Sequence, residues 1–147
     1  MVRRLDHRPR SPLRTLEDGV TTRVLIADDH RAFRTTCRAL LARGGFEVVA
    51  EAENGVQALR LARELRPDLV LLDIGLPDVD GFEVATRLAA DGAPAPRVIL
   101  TSNRDFSGFT RPIAESGALG FLPKHELSGP ALRALLGAAA EVRTLPE

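Results

Sequence analysis

The sequence predicts a doubly wound α/β domain, in which a five-stranded, mostly parallel sheet carries helices on both faces. Short apolar segments suited to strands alternate five times with segments of helical periodicity, as in parallel sheets built from crossover connections. The apolar run at 69–72 has no polar alternation, as expected of a strand covered on both faces. Several predicted strands also end in polar residues, and ligands bind at that edge of such sheets.

The first strand is predicted at 24–27, an apolar run that ends at Asp28 and Asp29. An amphipathic helix follows, because apolar residues recur every three or four positions with arginines between them. Its apolar positions are Phe33, Cys37, Leu40 and Leu41. We expect Cys37 to be a buried small side chain and the glycine pair at 44–45 to end the helix.

The second strand is predicted at 47–51, and its charged ends suit the edge of a sheet. Asn54 is a good N-cap for a second helix, and Pro67 lies beyond the end of that helix. The apolar run at 69–72 is the third strand, and it leads directly into Asp73.

A third helix is predicted at about 82–90 and is followed by a Gly/Pro-containing loop at 92–96. The fourth strand, 98–100, ends at Thr101 and Ser102. Thus another predicted strand ends in side chains that can form hydrogen bonds.

The fourth helix, which ends at about residue 116, is predicted to be short or irregular, because it contains Pro112 and is weakened by Gly108. The fifth strand, 119–122, places Lys124 just beyond its end. The last helix begins near 128–129, and the proline that follows suits its first turn.

Composition excludes several classes of function. The 20 Lys and Arg balance the 20 Asp and Glu, which argues against nonspecific binding to nucleic acids or membrane surfaces. No apolar run approaches the roughly 20 residues of a membrane span, and a single cysteine fits a reducing cytoplasm. We expect a disordered Arg- and Pro-containing tail at 1–22, one domain at 23–141 and a short tail at 142–147.

The strand ends predict a site for a cation and a phosphoryl group. Since the carboxyl ends of parallel strands share one edge, Asp28, Asp29 and Asp73 should converge there. At ~5 Å and an effective dielectric constant of ~20, each pair of carboxylates repels by roughly 3 kcal/mol. Mg²⁺ relieves this repulsion and prefers oxygen ligands. A carboxylate beside it can attack a phosphoryl group, whose oxygens Thr101 and Lys124 could contact.

Five stretches of the chain resemble, in order and spacing, the receiver domain of bacterial two-component response regulators, a CheY-like fold. They are VLIADDHRAF, ENGVQAL, PDLVLLDIGLPDVDGFE, RVILTS and GALGFLPK, and the resemblance extends from residue 23 to about 141. It implies the strand order 2-1-3-4-5. It also implies phosphorylation of Asp73 by a sensor histidine kinase or a histidine phosphotransfer protein.

The resemblance also implies residue roles. Four residues match the family's Mg²⁺ ligands: Asp28 (through water), Asp29, Asp73 and the backbone carbonyl of Gly75. Thr101 would hydrogen-bond to the phosphoryl group, and Lys124 would pair with it. Phe121 matches an aromatic switch position, whose rotamer follows movement of Thr101.

Plainer interpretations stand beside these roles. Asp28 and Asp29 could merely cap the first helix, Asp73 could be a turn residue, and Thr101 an ordinary strand-end hydroxyl. Lys124 could be a surface lysine, Phe121 plain core, and His30 an exposed residue at a helix start. Residues 78–81 resemble part of a calcium loop, but Leu76 and Arg87 would occupy ligand positions, so we interpret 78–81 as a solvated loop.

The function predicted is a single-domain receiver, a signalling protein rather than an enzyme. Too few residues follow Lys124 for a helix-turn-helix module, so we expect output through an unknown downstream protein, without direct nucleic-acid or membrane binding. The sequence leaves open whether the chain forms a homodimer. One alternative is a receiver-like interaction module that works without phosphorylation, which the unusual fourth helix favours. Another is an aspartyl phosphohydrolase, which Gly75 disfavours because it stands where such enzymes carry a second Asp.

Overall fold

The structure is a computed structural model that describes residues 21–92, 94–103 and 110–144, without the side chains of 110–112 and 138–144. All but the last two residues of the predicted N-terminal tail lie outside the described residues. The final three residues of the predicted C-terminal tail, and Gly108, lie outside them as well.

Five parallel strands form one sheet in the order β2-β1-β3-β4-β5, which confirms the predicted fold class and strand order. The strands are β1 (Arg23–Ala27), β2 (Glu47–Ala52), β3 (Leu69–Asp73), β4 (Arg97–Ser102) and β5 (Gly120–Pro123). The helices are α1 (Arg31–Arg43), α2 (Gly55–Leu65), α3 (Gly81–Ala90), α4 (Thr110–Ser116) and α5 (Gly129–Thr144). A 3-10 turn, Lys124–Glu126, joins β5 to α5.

Two apolar clusters, one on each face of the sheet, bury the central strand β3 completely. Leu69 and Leu71 pack in the cluster that contains residues of α1 and α5. Val70 and Leu72 pack on the opposite face with residues of α2 and α3. Each such side chain contributes roughly 1.5–3 kcal/mol by leaving water. This two-sided burial explains the unbroken apolar run, and it carries Asp73 to the edge of the sheet.

Helix α1 has the predicted apolar face, and Cys37 is buried as expected, with 1% of its surface exposed. Burial, together with the nearby Asp28 and Glu51 carboxylates, raises the pKa of the Cys37 thiol to about 12. The thiol is therefore protonated near neutral pH. Arg34 departs from the prediction, because it lies among the polar positions of the helix and is nevertheless only 7% exposed.

The described part of helix α4 has seven residues and begins directly after 104–109, which lie outside the described residues, so its shortness stays a prediction. Pro112 lies within this helix, as the sequence predicted. The residue before α5, Ser128, accepts a hydrogen bond from the backbone N–H of Ala131 at 3.0 Å and so caps the helix.

Helix α5 is 16 residues long and continues three residues past the domain boundary expected at 141. Among the helices of the described part of the chain, none combines the length and the apolar character that crossing a membrane requires.

Candidate functional site

The carboxyl ends of four strands bring the predicted site residues to one edge of the sheet. Asp28 follows β1, Asp73 ends β3, and Lys124 follows β5. Thr101 of β4 is the register partner of Asp73. One oxygen from each of Asp28, Asp29 and Asp73, and a ring nitrogen of His30, all lie within 4.8 Å of one another.

Asp28 is buried, with 1% of its surface exposed. Its Oδ1 accepts a hydrogen bond from the backbone N–H of His30 at 2.8 Å. Its Oδ2 lies 2.6 Å from Lys124 Nζ, yet this contact lacks hydrogen-bond geometry and leaves that oxygen without a hydrogen-bond partner. A buried carboxylate oxygen with unused lone pairs suits a cation or a water bound to one.

The acidic pair does not cap helix α1. His30 is the N-cap of α1 and makes no side-chain capping hydrogen bond, so the capping interpretation of Asp28 and Asp29 is not supported. Instead, His30 Nδ1 lies 2.9 Å from Asp28 Oδ1 and 3.2 Å from Asp29 Oδ1. His30 is exposed, as expected at a helix start, but its ring also contacts both carboxylates.

Asp73 is 4% exposed and lies in an environment that disfavours its negative charge. Burial, followed by the charge of Asp28, raises the pKa of Asp73, and the Lys124 ammonium and the Gly75 N–H oppose that shift. Lys124 Nζ lies 3.7 Å from Asp73 Oδ2. The Gly75 N–H donates to Asp73 Oδ1 at 3.3 Å, a contact that the plainer turn interpretation also describes.

Lys124 is not a surface lysine, since only 8% of its side chain is exposed. Its ammonium lies between the Asp28 and Asp73 carboxylates and 4.6 Å from the centroid of the Phe33 ring. It is the only lysine in the chain. It therefore supplies a compact positive charge at the position where the carboxylates converge.

Thr101 is buried, and its carbonyl accepts a hydrogen bond from the backbone N–H of Ile74 at 2.9 Å. Because Ile74 follows Asp73, this bond fixes the backbone next to Asp73 against β4. Phe121 is the register partner of Leu100 and packs against the apolar cluster on the α2–α3 face. These positions also fit a strand-end hydroxyl and a core aromatic, so the switch role of both residues stays a prediction.

Glycine is required at 81 rather than at 75 in the loop that follows Asp73. A Cβ at Gly81 would lie 2.6 Å from the Asp73 carbonyl oxygen and 2.8 Å from Ile74 Cα. A Cβ at Gly75 would meet nothing within 4 Å. The close approach at Gly81 lets α3 begin directly against the end of β3.

The interpretation of 78–81 as a solvated loop is incomplete. Asp78 and Asp80 are exposed, but both carboxylates cap helices. Asp78 accepts hydrogen bonds from Gly55 N at 2.7 Å and from Val56 N at 3.0 Å. These bonds lower the pKa of Asp78, and the bond from Gly55 has the largest effect. Asp80 accepts from Glu83 N at 2.9 Å and caps α3. The loop after Asp73 is thus tied to α2 as well as α3, beside the predicted Asn54 cap.

A mostly apolar cavity of about 350 Å³ opens beside Lys124, between α1 and the turn after β5. Its lining includes His30, Phe33, Asn103 and His125. Of the residues around the acidic cluster, His30 and Lys124 line this cavity.

The acidic cluster fits a small divalent cation. Its three carboxylates supply oxygen ligands, Asp28 Oδ2 lacks a hydrogen-bond partner, and 35% of the Asp29 side chain is exposed to incoming ions. Sequence reasoning missed Arg34, which donates a hydrogen bond to the Asp28 carbonyl at 2.7 Å.

Comparisons with known proteins agree with this fold. The model of a family described as response regulator receiver domain matches residues 24–136. The chain is 47% identical over 104 residues to the transcription regulator BvgA of Bordetella pertussis. The aligned region covers 71% of the chain and 49% of BvgA. The chain is 37% identical over 117 residues to the chemotaxis protein CheY of Listeria monocytogenes. That aligned region covers 80% of the chain and 98% of CheY.

A solved two-component response regulator of the LuxR family from Aurantimonas superposes with a TM-score of 0.72 at 32% identity. That match covers 81% of this chain and 84% of the solved one. The chain thus spans about half the length of BvgA and nearly the whole of CheY.

Proposed function

The chain belongs to the response regulator receiver domain family, and on that premise we propose that Asp73 accepts a phosphoryl group from a phosphohistidine donor. Receiver domains are signalling proteins of two-component systems rather than enzymes. The observation that carries the proposal is the buried Asp73 carboxylate, which faces the Lys124 ammonium at 3.7 Å beside two further carboxylates.

In the proposed reaction an Asp73 carboxylate oxygen attacks phosphorus and the phosphorus–nitrogen bond of the donor breaks. The electron pair returns to the donor imidazole, and a mixed anhydride forms on Asp73. Lys124 pairs with the incoming phosphoryl oxygens, and the Thr101 hydroxyl donates a hydrogen bond to them. Mg²⁺, when bound, neutralises negative charge on those oxygens.

Four residues hold the cation in this proposal. Asp29 and Asp73 would bind it directly, Asp28 through a water, and Gly75 through its backbone carbonyl. The mutual distances of the carboxylate oxygens support this assignment, and so does Asp28 Oδ2, which pairs with Lys124 but accepts no hydrogen bond. The cation and Lys124 together compensate the charge that the carboxylates concentrate at the edge of the sheet.

The phosphoryl group then shifts the balance between two conformations that already exist, through Thr101 and Phe121. We place the chain in the cytoplasm, with a sensor histidine kinase or a histidine phosphotransfer protein as donor and a protein as the downstream partner. Pro112 within α4 favours one alternative, an interaction module in which Asp73→Asn would leave partner binding intact.

We expect the full chain, incubated with Mg²⁺ and acetyl phosphate, to gain the mass of one phosphoryl group, as read by intact mass spectrometry. Asp73→Asn should gain none. Asp91→Asn is the matched control, since Asp91 is an exposed aspartate at the end of α3 that pairs with Arg63. Absence of the gain in the wild type, or an equal gain in Asp73→Asn, contradicts the proposal.

A further inference from the structure

Arg34 connects three elements behind the acidic cluster. It projects from α1 and is 7% exposed. Its Nη1 donates to the backbone carbonyl of Asp28, just after β1, at 2.7 Å. Its Nε donates to Glu51 Oε1, on β2, at 2.9 Å. A buried guanidinium that donates to one carbonyl and one carboxylate is a specific structural contact rather than a solvated charge.

The Asp28 carbonyl lies at the point where the chain leaves the sheet. The Asp28 N–H still donates to Ala52 of β2, at 3.0 Å, as a residue of the sheet would. The following residues, Asp29 and His30, lie between β1 and α1, and their side chains contact each other at 3.2 Å. Arg34 therefore holds the backbone of Asp28 at the point where the chain leaves β1.

Glu51 orients this guanidinium. Its Oε2 accepts from Arg38 Nε at 2.7 Å while its Oε1 accepts from Arg34. Arg38 lies one turn further along α1, and 48% of its side chain is exposed. Among the described residues Arg38 bonds to Glu51 and not to Asp28, so the two arginines share a partner but differ in their contact with the site.

We propose that Arg34, oriented by Glu51, is a positioning residue that preorganises the Asp28 and Asp29 carboxylates for the divalent cation. This inference rests on the proposed function. Loss of groups that orient metal ligands commonly weakens metal binding 10- to 100-fold. Since Arg34 acts on the backbone of the ligand residue, we expect an effect near the lower end, about 10-fold.

The test compares Mg²⁺ binding to the full chain in wild type, Arg34→Met, Arg34→Lys and Arg38→Met. Calorimetry is the suitable readout, because the chain contains no Trp or Tyr for intrinsic fluorescence. Methionine keeps an unbranched side chain and removes the guanidinium group. Lysine keeps the charge but cannot hold both acceptors in the same geometry. Thermal unfolding of each variant establishes that binding is measured on folded protein.

We expect the Mg²⁺ dissociation constant to rise about 10-fold in Arg34→Met and less in Arg34→Lys, and to stay within about 2-fold of wild type in Arg38→Met. The Mg²⁺ concentration that half-saturates phosphorylation by acetyl phosphate should shift by the same factor. The rate at saturating Mg²⁺ should change little.

A folded Arg34→Met chain that binds Mg²⁺ as the wild type does, whatever its melting temperature, overturns the inference, because a merely structural residue would behave in that way. If Arg34→Met does not fold, Mg²⁺ binding by folded Arg34→Lys is compared with the wild type instead, and equal binding overturns the inference. A wild type that takes up no Mg²⁺ contradicts the proposed function itself, so the two failures are distinguishable.

Discussion

Lys124→Met is expected to lower the free energy of unfolding by about 3 kcal/mol when no divalent cation is present. The substitution keeps the length of the side chain and its contact with Phe33 but removes the ammonium from two buried carboxylates. Asp28 Oδ2, 2.6 Å from Lys124 Nζ, would then be a buried charge without a nearby cation. Removal of one partner from a buried ion pair is costly for that reason, whereas surface pairs matter little.

Urea denaturation followed by far-ultraviolet circular dichroism measures this loss. Mg²⁺ should restore stability to Lys124→Met more than to the wild type, since it supplies positive charge to the same carboxylates. Arg87→Met is the control, because it removes a half-exposed i,i+4 pair with Glu83 and should cost less than about 0.5 kcal/mol. If both variants lose the same small amount, Lys124 does not compensate the acidic cluster.

Gly81→Ala is expected to destabilise the fold by about 3 kcal/mol. The added methyl would lie 2.6 Å from the Asp73 carbonyl oxygen and 2.8 Å from Ile74 Cα, and neither backbone atom can rotate away. Either α3 or the end of β3 must move. Because β3 ends at Asp73, we also expect slower phosphorylation by acetyl phosphate.

Gly75→Ala is the matched control for this effect, in the same loop and with the same chemical change. A Cβ there meets nothing within 4 Å, and the backbone carbonyl is retained. We expect a change of less than about 0.5 kcal/mol. Equal losses of stability in both alanine variants would show that the close approach of α3 to β3 is not the reason for glycine at 81.

The sequence predicted the features of the fold that depend on local periodicity. The unbroken apolar run at 69–72 indicated a strand buried on both faces, and the structure buries all four residues. Parallel strands share their carboxyl ends at one edge, so Asp28, Asp73 and Lys124 could be predicted to converge although the chain separates them widely. The capping role of Asn54 also followed from residue type and position.

Polar contacts between distant segments could not be predicted in this way. Arg34 occupies a polar position of α1, and only the packing of α1 against β2 brings it to Glu51, 17 residues along the chain. Likewise, Asp78 caps a helix that begins 23 residues earlier. Local periodicity carries no information on which polar residue of one element faces which residue of another, so these contacts required the tertiary structure.

In the proposed function, the site concentrates negative charge that a bound cation compensates. Because the pKa of Asp73 is raised in the folded state, its contribution favours folding at low pH and is lost as the pH rises through that pKa. At neutral pH without Mg²⁺, the Asp73 carboxylate is therefore destabilising, and a neutral asparagine relieves repulsion of order 1–3 kcal/mol.

The most direct measurement is the unfolding free energy of wild type and Asp73→Asn at neutral pH, with and without millimolar Mg²⁺. We expect Asp73→Asn to be the more stable protein without Mg²⁺, and Mg²⁺ to stabilise the wild type much more than the variant. A variant less stable than the wild type without Mg²⁺, or equal stabilisation of both proteins by Mg²⁺, would contradict the account.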